Sequence, residues 1–187
     1  MEAIMRVTEV SSRKKGYDSI KILYHEAFPR REQIPFSVLR LMAHRKGINF
    51  LAFYDKEELC GMTYLVRDQW TVFVLFLAID GRKRDRGYGT RILRWLKSRF
   101  PDCEIVLEIE PLDEEQAPNH MQRKKRMEFY ERSGIRDTGW EVYEGDVRYW
   151  LLSSEGRDFD PYEFRKLNRW FSLGYFSEMP RRRKQNP

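Results

Sequence analysis

Arg84-Asp85-Arg86-Gly87-Tyr88-Gly89-Thr90 brings together residue types that hold a phosphate: two closely spaced glycines, basic side chains and the opening of a helix. Glycines at a helix start let the backbone approach a ligand closely. The first-turn N–H groups have no intrahelical partner, and with the positive end of the helix dipole they form an anion seat. Before this loop, Val72-Phe73-Val74-Leu75-Phe76-Leu77-Ala78-Ile79 is an unbroken apolar run, suited to a strand covered on both faces in mid-sheet. After it, Thr90 to Lys97 puts Ile92, Leu93 and Leu96 on one helical face and the arginines and lysine on the other. The plain alternative is an ordinary loop with two turn glycines. A P-loop fails, because Thr90-Arg91-Ile92 follows Gly89 where Lys and then Ser or Thr are required. The dinucleotide fingerprint fits poorly: Ile92 stands in place of its third glycine, and a β-hairpin precedes the strand instead of following it. Only Glu108, roughly twenty residues on, suits that reading.

The order Leu77-Ala78-Ile79-Asp80, then Arg84-x-x-Gly87-x-Gly89, then a helix resembles the acetyl-coenzyme A loop of the GCN5-related N-acetyltransferases (the GNAT superfamily). A second stretch strengthens the resemblance. Val106-Leu107-Glu108-Ile109-Glu110 reads as a strand, and Met127 to Ile135 carries Tyr130 and Gly134 at the family's spacing, with Ile135 replacing the usual aromatic. The likeness in order and spacing runs from about Met5 to about Leu152.

Acetyl transfer to an amine needs a held thioester, a neutral amine, a stabilised oxyanion and a protonated leaving thiolate. The resemblance implies that N–H groups from Asp85 to Thr90 bind the pyrophosphate, with Arg84, Arg86 and Lys83 as candidate helpers. It also implies that the backbone of Leu77 and Ile79 pairs with the pantetheine arm like an added strand. An N–H near Ile79 then polarises the thioester carbonyl. Neutralising a lysine-like amine, with a pKa of about 10.4, costs roughly 4–5 kcal/mol at pH 7, against about 1 kcal/mol for an α-amino group. A nearby carboxylate can accept that proton. Leu75, Phe76 and Leu77 occupy the central-strand region where many relatives place an acid. Glu108 and Glu110 on the next strand are the candidates, placed on one face by alternation. Glu108 matches the register of the base in relatives that acetylate protein N-termini and is preferred; a surface carboxylate or ion-pair partner is the plain reading of each. Tyr130 matches the family's sulfur-facing tyrosine, and a phenol with pKa near 10 can protonate a thiolate of similar basicity. Its plain reading is a half-buried packing residue. Arg123 stands where the family often has Asn, and Asn119 lies further back. The insert Leu112 to His120 carries Asp113, Glu114 and Glu115, which either attract a cationic amine or are solvated.

A chain of 187 residues, 41% hydrophobic, is long enough for one well-buried domain. No apolar run approaches the roughly twenty residues of a membrane span, and the start lacks a signal-peptide layout. Cys60 and Cys103 suggest neither a disulfide framework nor zinc, consistent with a reducing cytoplasm. His25, His44 and His120 form no metal pattern, so none is expected. The net charge of +6 invites a nucleic-acid reading, yet Arg181, Arg182, Arg183 and Lys184 supply four of those charges, leaving +2 for the rest. Residues 179–187 read as a solvated, disordered basic tail.

The remaining elements frame the site. A strand is expected around Ala3 to Val10, then a helix with Ile20, Leu23, Tyr24 and Ala27, stopping before Pro29. A second helix opens near Pro35 with Val38, Leu41 and Met42 as its apolar stripe. Phe50–Tyr54 and Cys60–Val66 read as a hairpin, as do Trp140–Tyr143 and Val147–Leu152. Asp160-Pro161-Tyr162-Glu163 is a helix start with a capping acid, Pro at the first position and Glu at the third. Phe164, Leu167 and Phe171 form its stripe, for packing, a dimer contact or a pocket wall. Boundaries are placed at 1–153 for an acetyltransferase domain, 154–178 for a helical extension packed on it and 179–187 for the tail. The fold class is α/β, with a mixed, mostly antiparallel sheet of six or seven strands flanked by helices. The expected function is acetyl-CoA-dependent N-acetyl transfer to a primary amine by direct attack, a small-molecule acceptor preferred over a protein N-terminus or lysine. The rivals are a catalytically idle acyl-CoA sensor and an RNA-associated protein using the tail. Neither membrane nor nucleic acid is an expected partner, and a homodimer is compatible.

Overall fold

The structure, a computed structural model, describes residues 5–11, 16–155, 158–174 and 178–183. Packing divides the chain into two compact units, Met1–Leu65 with Val74–Trp95 and Val66–Phe73 with Leu96–Pro187. The described residues hold eight strands in a mixed, mostly antiparallel sheet.

β1 (Arg6–Glu9) pairs antiparallel with β2 (Ile48–Asp55), which turns through Lys56 into β3 (Glu58–Arg67), followed by β4 (Thr71–Ile79); β3 as far as Leu65 and β4 from Val74 belong to the first unit. Helix α1 (Tyr17–Ala27) ends where Phe28 turns extended ahead of Pro29, the conformation a following proline imposes. It buries Ile20, Leu23 and Tyr24. Their aromatic neighbours form one cluster: Phe28 lies 4.7 Å and Tyr24 5.2 Å from the Phe76 ring, and Phe36 lies 5.5 Å from Phe50. The two hydroxyls entering this core are satisfied: Tyr24 donates to the Ile34 carbonyl at 2.9 Å and Tyr64 to that of Leu39 at 3.0 Å. Helix α2 (Phe36–Met42) differs from expectation. It buries Phe36 and Leu39, while Leu41 is 71% exposed. Seven residues make two turns, so the face beginning at Phe36 packs and the expected Val38–Leu41 stripe points outward.

Helix α3 (Tyr88–Arg99) fully buries Ile92, Leu93 and Leu96. In the second unit, β5 (Glu104–Ile109) runs parallel to the start of β4, from Thr71 opposite Glu104 to Phe73 opposite Val106. β7 (Val147–Ser153) lies antiparallel to both β5 and β6 (Arg136–Glu144), with a register shift in β6 between Asp137 and Glu141. Helix α4 is His120–Arg132, and α5 is Pro161–Phe171. The Asp160 carboxylate caps α5 by accepting from the Tyr162 N–H at 2.8 Å. The buried face of α5 sets Phe164 against Phe73, ring centroids 5.1 Å apart. The Ser154 N–H donates to the Ile105 carbonyl at 2.9 Å. The chain after residue 153 thus packs within the second unit.

The strand count of eight exceeds the expected six or seven because the basic tail supplies one. β8 (Arg181–Arg182) pairs antiparallel with Trp140 and Glu141 of β6, and the Arg183 N–H donates to the Gly139 carbonyl at 2.9 Å. Arg181 and Arg182 remain exposed, yet the three arginines are held against the sheet. Arg181, Arg182 and Arg183 lie over the rings of Tyr143, Trp140 and Trp150, at 5.4, 5.2 and 3.8 Å, and Arg183 pairs with Asp137. Cation–π stacking and free backbone groups on the edge of β6 order what composition alone reads as tail. Residues 184–187 lie outside the described residues, as do Ala3 and Ile4 of the expected first strand.

Candidate active site

The first half of β4, Thr71 to Val74, is buried on both faces, but in its second half Phe76 and Ala78 are buried while Leu75, Leu77 and Ile79 are half-buried. An unbroken apolar run therefore overstated its burial. The strand also carries an irregularity. The Thr71 carbonyl accepts from Asp68 and the Asp80 N–H donates to Cys60, so both residues face β3 although nine positions separate them. A regular strand returns to the same side every second residue, so one extra residue is accommodated between Thr71 and Asp80. The parallel ladder with β5 stops at Phe73.

The loop that follows is built by its own side chains. The Asp80 carboxylate accepts from the Arg82 N–H at 2.9 Å and pairs with its guanidinium at 2.8 Å, which holds the Asp80 pKa below the ordinary carboxylate range. Lys83 pairs with Glu58, so it is not a spare charge for phosphate. Arg84 and Arg86 are exposed and have no ion-pair partner among the described residues. Asp85 and Gly87 sit in the left-handed region, at φ 59° and 77°. A Cβ on Gly87 would meet no heavy atom within 4 Å, so the position is glycine for its backbone and opens onto free space. The first intrahelical bond runs from the Arg91 N–H to the Gly87 carbonyl at 3.0 Å, leaving the N–H groups of Tyr88, Gly89 and Thr90 ahead of it. Tyr88 anchors the turn: its hydroxyl donates to Asp55 at 2.7 Å, and the Arg91 guanidinium lies 5.1 Å from its ring. That hydrogen bond, with burial, raises the Tyr88 pKa.

In the second unit the three catalytic candidates occupy different settings. The Glu108 residue is part-exposed, but its Oε1 is closed to solvent and accepts no hydrogen bond among the described residues. Burial, and then the neighbouring Glu144 charge, push its carboxyl well above the usual range. Glu110 lies past the end of β5 and is buried. Asn119 donates to both its oxygens at 3.0 and 3.1 Å, Arg123 pairs with it at 3.2 Å and Arg126 at 3.4 Å. Arg123 is itself 7% exposed and also holds the Pro111 carbonyl and Glu114, both at 2.8 Å. It therefore fastens the 112–120 insert. Asp113 and Glu114 pair with Arg148, and Arg123 holds the Glu114 pKa below its ordinary value.

Tyr130 is 8% exposed in the last turn of α4. Burial raises its pKa, and its hydroxyl makes no hydrogen bond among the described residues. The Tyr130-to-Ile135 spacing is a helix terminus: Gly134, at φ 72°, donates to the Glu131 carbonyl, and Ile135 donates to that of Tyr130. Lys97 adds bonds to the Ser133 and Gly134 carbonyls at 3.1 and 3.0 Å.

The loop candidates Leu77, Ile79 and Arg84 to Thr90 thus share the first unit, whereas Glu108, Glu110 and Tyr130 belong to the second. Sequence reading does not reveal Glu144, which sits beside a hairpin turn, or the Arg123 clamp, whose signal is a lone arginine amid charged helix residues. No group of His, Cys, Asp or Glu side chains among the described residues is arranged to hold a metal ion.

A sequence profile of the acetyltransferase (GNAT) family matches residues 17–135. The chain belongs to this family, and so is an acetyl-CoA-dependent acyltransferase. No curated protein sequence matches it. Among solved structures, a chain from Bacteroides thetaiotaomicron assigned to the GNAT family is similar with TM-score 0.72 and 22% identity, over 92% of this chain and 99% of that one. An aminoglycoside 6'-N-acetyltransferase in complex with coenzyme A is similar with TM-score 0.60 and 16% identity, over 79% and 95%. The ribosomal-protein-S18-alanine N-acetyltransferase of Escherichia coli follows with TM-score 0.56 and 12% identity, over 80% and 92%. At these identities the likeness is one of fold.

Proposed function

We propose that this protein transfers the acetyl group of acetyl-CoA to a primary amine by direct attack, with Glu108 as general base and Tyr130 as general acid. The observation that carries the reading is the Glu108 carboxyl, with a buried oxygen that accepts nothing and a pKa raised by burial and by Glu144. A raised pKa brings a carboxyl closer to the operating pH, where a general base works best. Glu110 is a poorer candidate, because three donors already occupy its oxygens. The free Tyr88, Gly89 and Thr90 amides would seat the pyrophosphate, with Arg84 and Arg86 adding charge. The Leu77 and Ile79 backbone would take the pantetheine arm, and the Ile79 N–H would face the thioester carbonyl. Tyr130 keeps its proton at neutral pH and would give it to the departing thiolate. Attack is direct: the amine nitrogen bonds the acetyl carbon, the C–S bond breaks, and no acetyl-enzyme forms.

A small-molecule acceptor is preferred, since Asp113 and Glu114 of the 112–120 insert are engaged by Arg123 and Arg148, leaving Glu115 as its one acid without an ion-pair partner among the described residues. Both amine classes occur among the fold relatives, an aminoglycoside and a ribosomal-protein alanine. The RNA reading loses its basis, because Arg181 to Arg183 stack on aromatic rings of the same unit. Both cysteines are free, which fits a cytoplasmic location. The test is acetyl-CoA with a mixed amine panel, following thiol release and acetylated product. Amine-dependent thiol release with matching product is expected. Tight acetyl-CoA binding without product would favour the acyl-CoA sensor.

A further inference from the structure

Helix α5 carries its charges in a self-complementary order. Acids stand at Asp160 and Glu163 and cations at Lys166 and Arg169, each three residues after the last. Asp160, Lys166 and Arg169 are exposed and Glu163 is half-buried, while Phe164, Leu167 and Phe171 fill the packed face. Two grooves of the second unit border the helix. One, of about 570 Å³, is lined by Tyr162, Arg165, Lys166, Arg169, Trp170 and Leu173. The other, of about 290 Å³ at the helix start, gathers Asp102, Glu104, Glu155, Asp160 and Glu163 beside the exposed ring of Trp70. The basic groove also has apolar ground, with Tyr162 70% and Leu173 84% exposed. Leu173 sits in the left-handed region at φ 55°, where the Gly174 N–H closes the helix on the Arg169 carbonyl at 2.8 Å and glycine is the usual residue. A leucine there is strained, and in a single copy its side chain gains little burial in return.

The basic groove fits a partner that is acidic and has apolar flanks. A polyanion such as RNA fits it poorly, because the five acids of the neighbouring groove would repel it. The chain itself carries the complement. Two antiparallel copies of α5, related by a two-fold axis level with the Phe164–Arg165 peptide, bring Glu163 of each copy level with Lys166 of the other, and Asp160 level with Arg169. Within one copy Lys166 pairs with Glu163 at 3.4 Å, an exposed pair that contributes little alone. Across the axis two such pairs merge into a network of four charges. We infer that the outer face of α5, with the acidic groove at its start, docks a second copy of this chain.

Sedimentation velocity on the full chain tests this. Wild type should be dimeric at about 100 µM in about 50 mM salt and shift towards monomer in about 0.5 M salt, which screens exposed charges. Glu163→Lys and Lys166→Glu should each be monomeric, since each sets like charges against one another across the axis. An equimolar mixture of the two should dimerise again, because one variant then presents two cations and the other two acids. Mixing cannot restore the pair within a chain, so recovery reports contact between copies. Leu173→Gly, which relieves the left-handed strain, should keep the fold and weaken dimerisation about tenfold. A monomeric wild type overturns the inference, and one that retains a single-stranded RNA oligonucleotide would hand the basic groove to RNA. A dimer that both charge variants leave intact, or a mixture of folded variants that stays monomeric, overturns it equally.

Discussion

The Ile135 N–H donates to the Tyr130 carbonyl at 2.9 Å, so the residue proposed to protonate the thiolate is tied by its own backbone to the helix terminus. Its backbone is fixed while its hydroxyl makes no hydrogen bond among the described residues. Tyr130→Phe should therefore keep acetyl-CoA affinity within about twofold and lower turnover about a hundred- to ten-thousandfold. A thioester with a more acidic leaving thiol should suffer less. Turnover within about threefold of wild type, with chemistry limiting, would leave solvent as the proton source.

Gly87 carries the left-handed turn that opens α3. A β-branched residue in that region costs roughly 1–2 kcal/mol and places methyl groups in the space beside the free amides. Gly87→Val is expected to fold, with a lower melting temperature, and to bind acetyl-CoA at least tenfold more weakly by calorimetry. Unchanged affinity in the folded variant would remove the loop from the coenzyme site.

Arg123 and Glu110 are a buried pair, at 8% and 9% side-chain exposure. Removing one partner of such a pair typically costs about 3–5 kcal/mol. Asn119 and Arg126 still hold Glu110, so Arg123→Met should fall at or below the low end of that range in urea unfolding. Adding Glu110→Gln should recover part of the loss. A loss within experimental error would mean that the clamp is not structural.

Glu104 accepts from the Ser153 hydroxyl at 2.6 Å, yet burial pushes its pKa up to about 7. An acid with a raised folded-state pKa destabilises the fold as pH climbs from its unfolded value, near 4.5, through about 7. Glu104→Gln keeps the acceptor oxygen and removes the charge. Its melting temperature should exceed wild type above pH 7, with the gap closing towards pH 4.5. A gap independent of pH would assign the effect to packing.

Local signals with a mechanical basis were readable before any coordinates: the Asp160-Pro161 cap, the pre-proline end of α1, and the Ile92-Leu93-Leu96 face of α3. The glycine turn at Gly87 and the start of α3 were equally legible, because a left-handed turn and a helix start leave marks within six residues. Non-local pairings were not. Nothing near Arg181 announces that Trp140 and Tyr143 lie forty residues upstream to receive it, so a strand passed for a tail. Glu108 and Glu110 looked equivalent by alternation until β5 ended at Ile109 and Arg123 claimed only the second. Glu144 was invisible for the same reason: its neighbour in space is thirty-six residues away in sequence.

The central claim is that Glu108 accepts the proton of the acceptor amine, and the pH dependence of kcat/KM for wild type and Glu108→Gln tests it most directly. Because the Glu108 pKa is raised, wild-type activity should climb with pH through that pKa or the amine's, whichever is the higher. Glu108→Gln should be most impaired near neutral pH and approach wild type at high pH, where the amine loses its proton unaided. A parallel profile, with the same fractional loss at every pH, would contradict the assignment and leave Glu108 a structural carboxyl.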